Sequence, residues 1–489
     1  MANLKKLTLL HSNDMHGDFL AEEVDDALVG GVSRLSGYVN KVRAEEENVI
    51  YAIAGDMFRG SVIDSEYRGI STIEIMNTLS PDVVTIGNHE IDYGLSHLLF
   101  LEKCANFPIV NANFHITSNG RRLFEPCKII EIGGMKVLFI GIVTELVINA
   151  AKSDGLIGSY VTIEDAAVDI GSICNAYNTT DVDFTVLLTH IGFEEDKRLA
   201  ALLDPDWGVD LIIGGHSHTF LEEPVVVNGI PIVQAGTGTD QIGRFDIVVD
   251  TDKNCIDSYT WTPVPIDDET CPHDAYMEHV IRGYKETTDK KYGQLITRFA
   301  RMHTHPSRIQ ETELGNLIAD AMMESLGVDI MLQGSGSIRS EEMGPIVTLG
   351  TLTEVFPYDD ALYRISVTGA QLKRMIKHML REDAFAGHTE FYQFSRGLHV
   401  VYDRNTKEFE AFDFNGRPIE EEHVYTVGIQ AYHFQNLKEF LDVTLEECEA
   451  NAPSRTLSTS ARDVLKEYLM KHSNLNTHVE GRLVVKFEE

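Results

Sequence analysis

Five short polar motifs follow apolar runs in the first half of the chain, and their side chains are typical metal ligands. The motifs are NDMHG, AGDMFRG, GNHEID, LLTHIG and GGHSHT. Each contains a glycine, which lets the backbone turn sharply. Together they supply mixed oxygen and nitrogen donors that suit divalent transition metals, at Asp14, His16, Asp56, Asn88, His190, His216 and His218. One HxH alone is a weak signal, but the series predicts a metal site.

The number of candidate ligands is sufficient for two ions. A two-metal site needs a carboxylate that bridges the ions and two or three further ligands for each. Asp56 suits the bridge, because it stands alone between an apolar run and a glycine-containing turn. Asp14, His16 and one histidine would complete the first site, and Asn88 with two histidines the second. This ligand chemistry is compatible with manganese, zinc, iron or cobalt.

The elements that must position these residues are strands alternating with amphipathic helices. Strand candidates are LTLLH, VIYAIAG, VVTIG, KVLFIGI, FTVLLTH and DLIIGG, and most stand directly before a motif. This alternation predicts an α/β domain with buried sheets, and sites in such folds gather where strands give way to loops. The later runs IPIVQAG and RFDIVVD have no helix between them, which indicates an antiparallel edge or a second sheet.

The length of 489 residues predicts more than one domain. The pattern changes near Pro265, and a charged, helix-compatible segment then runs from Asp274 to about Ile296. We therefore predict a metal-binding domain over 1–270, a linking helix over 271–297 and an α/β domain over 298–489. The HxH in MHTH, at 302–305, is predicted to be an interdomain loop without metal.

Charge and composition narrow the range of partners. The formal net charge is −35, which disfavours nucleic acid and anionic membranes as partners. No apolar run approaches the roughly 20 residues of a membrane-spanning helix. The start resembles a first strand more than a signal peptide, and the six cysteines are scattered. We expect a cytoplasmic protein with reduced thiols, whereas a removed leader would indicate a periplasmic or extracellular one. The oligomeric state stays open.

The motifs also resemble a known signature. DMH, GD, GNHE, TH and GHSH resemble that of the calcineurin-like metallophosphoesterases, and LHSNDMHG and GNHEIDYG resemble its 5′-nucleotidase branch, which includes UDP-sugar hydrolases and 2′,3′-cyclic phosphodiesterases. The resemblance implies a four-layer αββα domain, a linking helix and an α/β substrate-binding domain. It assigns Asp14, His16, Asp56 and His218 to one metal, and Asp56, Asn88, His190 and His216 to the other.

The resemblance also assigns catalytic roles within GNHEID. It implies that His89 faces the phosphoryl group and that Asp92 is its partner. An imidazole is best oriented, and stays protonated best, with a carboxylate on its far nitrogen. We interpret Glu90 as structural support, and hypothesise that Arg59 adds positive charge near the metals.

Four further residues are implied to bind substrate, and all lie in the second half. Arg308 and Arg339 match substrate arginines of the family, Arg339 at the end of QGSGSIR. Such a glycine-rich loop can offer backbone N–H groups and a guanidinium to an anion. Tyr358 in FPYDD and Tyr432 in YTVGIQAYHF match the two aromatics that sandwich a nucleobase. The chain departs from the family in AYHFQNLKEF, which lacks a GGDG-like turn, and in GSGSIR, which lacks an asparagine.

These residues predict a hydrolase that uses two metals to activate water against a phosphoester. The lead prediction is a 5′-nucleotidase that releases phosphate from nucleoside monophosphates. The alternatives are a 2′,3′-cyclic-nucleotide phosphodiesterase, a nucleotide-sugar pyrophosphatase or a thiosulfate-processing relative. A nucleotide-binding pseudoenzyme is the alternative from another class.

Overall fold

The chain folds into two compact units. The computed structural model describes residues 3–24, 27–116, 119–144, 162–177, 180–387 and 389–487. The units are Met1–Thr288 and Asp289–Glu489. Each has buried apolar clusters of its own, as expected of a chain too long for a single core. Among the described residues, no helix is long and apolar enough to cross a bilayer.

The first unit is built on two sheets, each with six strands in the described part of the chain. In spatial order, the first sheet has Cys255–Pro265, Gln241–Asp250, Leu4–Ser12, Val49–Ala54, Val83–Thr85 and Ile109–Val110. The second has Val225–Val227, Ile230–Val233, Leu211–Ile213, Phe184–His190, Met135–Val143 and Cys127–Ile132. All the strand candidates named from the sequence are strands here. Ile230–Val233 and Gln241–Asp250 lie in different sheets, and each pairs antiparallel with the edge strand of its own sheet, so both alternatives are confirmed.

The two sheets pack face to face because their strands alternate between two apolar faces. Leu7 and Leu9 of the first sheet share a buried cluster with Val137 and Phe139 of the second. Leu10 points the other way, into the cluster formed with the helices. This alternation follows from the two-residue period of a strand, and it leaves inner strands such as Val49–Ala54 and Phe184–His190 buried on both faces.

Helices cover the outer faces and complete the four layers. The helix Val32–Glu45 packs on the first sheet and Phe193–Leu202 on the second. The other helices described in this region are Val62–Tyr67, Ile70–Leu79, Leu95–Cys104, Ile163–Tyr177 and Ala275–Tyr292, and a small hairpin joins Glu22–Val24 to Ala27–Val29. The predicted αββα arrangement is confirmed.

The second unit has a mixed sheet flanked by helices, again as described in residues 289–387 and 389–487. The sheet order is Tyr392–Phe394, Ile330–Gly334, Val424–Gln430, Leu362–Thr368 and Arg455–Ser458. A second sheet contains Arg417–Pro418, Glu408–Phe414, Leu398–Asp403 and Leu483–Lys486, and two ribbons pair Leu295–Arg298 with Ile346–Thr348 and His303–Thr304 with Glu342–Met343. The helices are Glu313–Leu326, Leu349–Val355, Gly369–Met379, Glu382–Phe385, Ala431–Gln435, Leu437–Leu441, Leu445–Asn451 and Ala461–Lys471.

Local sequence signals set the ends of the first of these helices. Thr312 begins Glu313–Leu326 by accepting a hydrogen bond from the Gly315 amide, and Gly327 ends it in the left-handed conformation. The MHTH segment just before it is not the interdomain loop predicted from the sequence. His303 and His305 are buried in the second unit, where His303 accepts a hydrogen bond from the Thr477 amide at 2.8 Å.

Candidate metal centre and substrate residues

The topology brings the five motifs to one edge of the first unit. Leu4–Ser12, Val49–Ala54 and Val83–Thr85 are parallel neighbours in one sheet, and Phe184–His190 and Leu211–Ile213 are parallel neighbours in the other. Parallel strands end at the same edge of a sheet, so the residues that follow them converge. The structure places the predicted ligands there, at or just beyond these strand ends: Asp14, His16, Asp56, Asn88, His190, His216 and His218.

The backbone at these positions is unusual. Asp14, His16, Asp56, His216 and His218 all have positive φ, between 49° and 80°. Non-glycine residues adopt this conformation at a cost of roughly 1–2 kcal/mol each, and such residues cluster at functional sites. The glycines of the motifs leave room for this packing. A Cβ on Gly87 would lie 2.2 Å from Oδ1 of Asp56. The candidate ligands therefore have strained backbone conformations, and a neighbouring glycine places no side chain between them.

Asp14, His16 and His218 form the first group of ligands. Nε2 of His16 lies 2.9 Å from Nε2 of His218. Oδ1 of Asp14 lies 3.5 Å from Nε2 of His218 and 3.9 Å from Nε2 of His16. Asp14 is fully buried, whereas the His218 side chain is 47% exposed. The group therefore opens towards solvent on the His218 side.

Asp56, His190 and His216 form the second group, and Asn88 joins it. Nε2 of His190 lies 3.0 Å from Oδ2 of Asp56 and 3.2 Å from Oδ1 of Asn88. Nδ1 of His216 lies 2.7 Å from the same Asn88 oxygen. These atoms converge on one point, with an arrangement of nitrogen and oxygen donors that suits a divalent ion.

Asp56 faces both groups. Its Oδ2 lies 3.0 Å from His190 in the second group and 4.0 Å from His16 in the first. Its Oδ1 accepts a hydrogen bond from the His89 amide at 2.8 Å. Asp56 is thus close to candidate ligands of both groups, as the bridging carboxylate of a two-metal site must be.

Surrounding groups fix the ligand orientations. Nδ1 of His190 donates to the Ala54 carbonyl oxygen at 2.8 Å, which leaves Nε2 for the site. The Asn13 amide group and the His216 backbone N–H both donate to the Asp14 carboxylate. Burial, the largest single influence, lowers the pKa of His190, but the Asp56 hydrogen bond and charge, together with the Asp14 charge, outweigh it and raise the pKa to about 9. Ions that bind here must therefore displace a proton.

His89 and Asp92 form a pair beside these groups. Nδ1 of His89 lies 2.7 Å from Oδ2 of Asp92, and this hydrogen bond raises the His89 pKa. Nε of Arg59 donates to the same oxygen at 2.9 Å, so Arg59 contacts the pair. The His89 ring lies 5.3 Å from that of His16, and His89 can also form a ligand group with His16 and Asp56.

Glu90 explains why GNHEID contains a second carboxylate. It is 1% exposed and accepts hydrogen bonds from the backbone amides of Asp56 at 3.0 Å, Met57 at 2.7 Å and Gly87. These amides belong to the turns that carry the bridging candidate and Asn88. Glu90 therefore joins the two turns and supports the site without facing it.

The four predicted substrate residues lie in the second unit. The register pair Leu362↔Gln430 places Tyr358 and Tyr432 beyond the same end of two paired strands. Both rings are exposed, by 48% and 54%, so neither is a core tyrosine. The Arg339 guanidinium lies 5.8 Å from the centre of the Tyr358 ring. Arg308 lies exposed in a turn.

The glycine-rich segment before Arg339 differs from expectation. We predicted that its backbone N–H groups are available to an anion, but several already donate within the protein. The amides of Ser335, Gly336, Ile338 and Arg339 donate to Phe391, Glu390, Ser335 and Val355 respectively. Arg339 itself is still available for an anion through its guanidinium.

Comparisons with known proteins fall on the same two units. Residues 7–220 match the family model described as calcineurin-like phosphoesterase, and residues 287–444 match that of the 5′-nucleotidase C-terminal domain. A 5′-nucleotidase of Mus musculus is 28% identical over 99% of this chain and 91% of its own length. The trifunctional nucleotide phosphoesterase protein YfkN of Bacillus subtilis is 29% identical over 76% of this chain and 27% of its own. A crystal structure of a 5′-nucleotidase precursor from Thermus thermophilus superposes with a TM-score of 0.64 at 24% identity, covering 99% of this chain and 100% of that one.

Proposed function

The chain belongs to the calcineurin-like phosphoesterases that carry a 5′-nucleotidase C-terminal domain and is therefore a phosphoester hydrolase, and from this premise we propose that it releases phosphate from nucleoside 5′-monophosphates. The observation that carries the proposal is the pair of ligand groups that share Asp56, with His89 and Asp92 beside them. We further propose that 1–270 is the metal domain, 271–297 the linking helix and 298–489 the substrate domain.

The donor set fits two divalent ions. Asp14, His16, Asp56 and His218 would hold one, and Asp56, Asn88, His190 and His216 the other. When bound, such ions polarise phosphoryl oxygens and lower the pKa of water. With four imidazoles among the ligands, manganese, zinc, iron and cobalt are the candidates, and magnesium is disfavoured.

His89 has the role of an electrostatic donor to the reacting phosphoryl group. Asp92 holds the proton on Nδ1 of His89, so Nε2 is the atom turned to substrate. Charge develops on the phosphoryl and leaving oxygens during transfer, and a positioned imidazolium stabilises it. Such a group contributes roughly 10²–10⁴-fold to the rate.

The second unit supplies recognition of the rest of the substrate. Stacking of a base on an aromatic side chain contributes about 1–3 kcal/mol and tolerates many bases. The exposed rings of Tyr358 and Tyr432 are suited to this role. Arg339, next to Tyr358, and Arg308 would contact the anionic end of the nucleotide.

The experiment is a substrate panel for the metal-reconstituted full chain. It compares adenosine monophosphate, a 2′,3′-cyclic monophosphate, a UDP-sugar and an aryl phosphate. We expect phosphate release to be fastest from the monophosphate. Faster turnover of the cyclic or sugar nucleotide would instead favour the phosphodiesterase or pyrophosphatase, a second candidate that the relationship to a trifunctional nucleotide phosphoesterase supports.

Variants separate the nucleoside contribution from the chemistry. Tyr358→Ala and Tyr432→Ala should lower kcat/KM for the nucleotide by about tenfold or more, because stacking is lost. Hydrolysis of the aryl phosphate should stay near its original rate. Tyr276→Ala is the matched control, since that ring is 66% exposed and lies in the linking helix. Equal loss on both substrates would contradict a stacking role.

A further inference from the structure

The carboxylate of Glu390 lies against the glycine-rich segment 333–340, a contact that the sequence does not predict. Strand Tyr392–Phe394 pairs antiparallel with Ile330–Gly334, and Glu390, two residues before that strand, lies across from Gly336. The Gly336 amide donates to Oε1 of Glu390 at 2.8 Å. Glu390 is half-buried.

Two glycines let this carboxylate and a neighbouring buried imidazole pack closely against the segment. A Cβ on Gly336 would lie 3.0 Å from Oε2 of Glu390. A Cβ on Gly334 would lie 2.7 Å from Nε2 of His433. A side chain at either position would press against these polar groups. The floor of the segment therefore consists of the half-buried Glu390 carboxylate and, beneath it, the buried His433 imidazole.

This floor lies next to the candidate base-stacking residues. The His433 ring lies 5.6 Å from that of Tyr432, and its Nδ1 is tied to the Tyr392 hydroxyl at 2.7 Å. Burial raises the pKa of Glu390, and Arg308 is close enough to oppose this by favouring the charged carboxylate. The Glu390 carboxylate thus lies near a candidate stacking ring and a predicted substrate arginine, with the buried His433 packed between the carboxylate and the ring.

The charge of the floor determines what it can bind. Because the Gly336 amide is already satisfied by Glu390, this part of the segment repels a phosphate and accepts hydrogen bonds instead. A carboxylate accepts from hydroxyl or amino hydrogens, and both occur in a nucleoside. The anionic end of a nucleotide must lie elsewhere, towards the arginines.

We propose that Glu390 is a specificity residue that accepts a hydrogen bond from the nucleoside part of the substrate. The inference rests on the proposed function. The donor is either the 2′-hydroxyl of the sugar or the amino group of the base, which present the same chemistry to the carboxylate. A hydrogen bond to a charged group of this kind corresponds to about tenfold or more in affinity.

The test compares kcat/KM of the full chain and of Glu390→Gln on adenosine monophosphate, its 2′-deoxy analogue and purine riboside monophosphate. The amide oxygen of Gln still accepts from Gly336, so the variant keeps the segment in place. Glu421→Gln, which alters an exposed carboxylate of the same unit, is the control. Turnover of an aryl phosphate reports on folding and on the metal centre.

We expect Glu390→Gln to lose about tenfold on adenosine monophosphate and little on the analogue that lacks the donor. Selective retention on the deoxy analogue identifies the sugar as the donor, and retention on purine riboside monophosphate identifies the base. An equal loss on all three nucleotides, or no loss, would overturn the role of Glu390 and leave the proposed function intact. A wild-type chain that cleaves aryl phosphate but no nucleotide would overturn both.

Discussion

The His89 and Asp92 pair allows a double-mutant test of how the site acts on phosphate. If Asp92 acts through His89, removing either side chain impairs the same electrostatic donor to the phosphoryl group. The variants are His89→Ala, Asp92→Asn and the double variant. Because residues that act as a unit are not additive, the double variant should be no slower than His89→Ala alone.

The magnitudes follow from the contacts. His89→Ala removes the donor itself, so kcat should fall by roughly 10²–10⁴. Asp92→Asn keeps the ring and the His89 amide bond to Asp56, and loses one charge-assisted hydrogen bond of 2.7 Å. Such a bond corresponds to about 1.5–3 kcal/mol, or roughly 10–100-fold. We therefore expect kcat to be highest in the wild type, lower in Asp92→Asn and lowest in the two variants without the imidazole.

The assay is steady-state kcat on an aryl phosphate and on a nucleoside monophosphate, with metal content measured on the same samples. Both ions should remain in all three variants. Loss of metal from His89→Ala would make His89 a ligand, in the group that it can form with His16 and Asp56. If Asp92→Asn lowers kcat by the same factor in the His89→Ala background as in the wild type, the two residues act independently and the pairing is refuted.

Three further changes test other parts of the account. Asp56→Asn should reduce bound metal from two ions to fewer than one and abolish turnover, as measured by elemental analysis; two retained ions would exclude the bridge. Glu90→Ala leaves three backbone amides of the ligand turns unsatisfied, so the free energy of unfolding should fall by about 2–4 kcal/mol in denaturant titrations, and an unchanged value would contradict its supporting role. His11 is fully buried and burial lowers its pKa to about 3, so its contribution to stability is complete above pH 6.5 and is lost as pH falls below that value. The free energy of unfolding of the wild type should fall by about 2 kcal/mol between pH 7 and pH 5 because of His11, and that of His11→Phe should lack this fall. If denaturant titrations give the two proteins the same pH dependence, the prediction is wrong.

The elements of the first unit follow from the sequence to a large extent. Apolar runs such as the one in Val49–Ala54 are buried on both faces, and a polar motif at the end of a buried strand is a strong signal. A second sheet is indicated by the sequence, but which strand belongs to which sheet does not follow from the apolar runs, because the inner strands of both sheets have the same buried pattern. Only long-range pairing separates them.

Side-chain environments were harder to predict than elements. His11 is a histidine near the end of a buried strand, and its type alone does not show whether the ring is hydrogen-bonded. It stacks on Trp261 with ring centres 5.2 Å apart, and among the described residues neither ring nitrogen has a hydrogen-bond partner. Glu390 carried no signal at all, because its position depends on a strand register that places it opposite Gly336. Contacts of this kind depend on tertiary pairing and have no local pattern.

The most direct test of the central claim is to locate the ions by anomalous diffraction from crystals of the metal-reconstituted protein. We predict two ions about 3.5–4 Å apart, one bound by His16 and His218, the other by His190 and His216, with Asp56 coordinating both. A single ion, or two ions that do not share Asp56, would contradict the account.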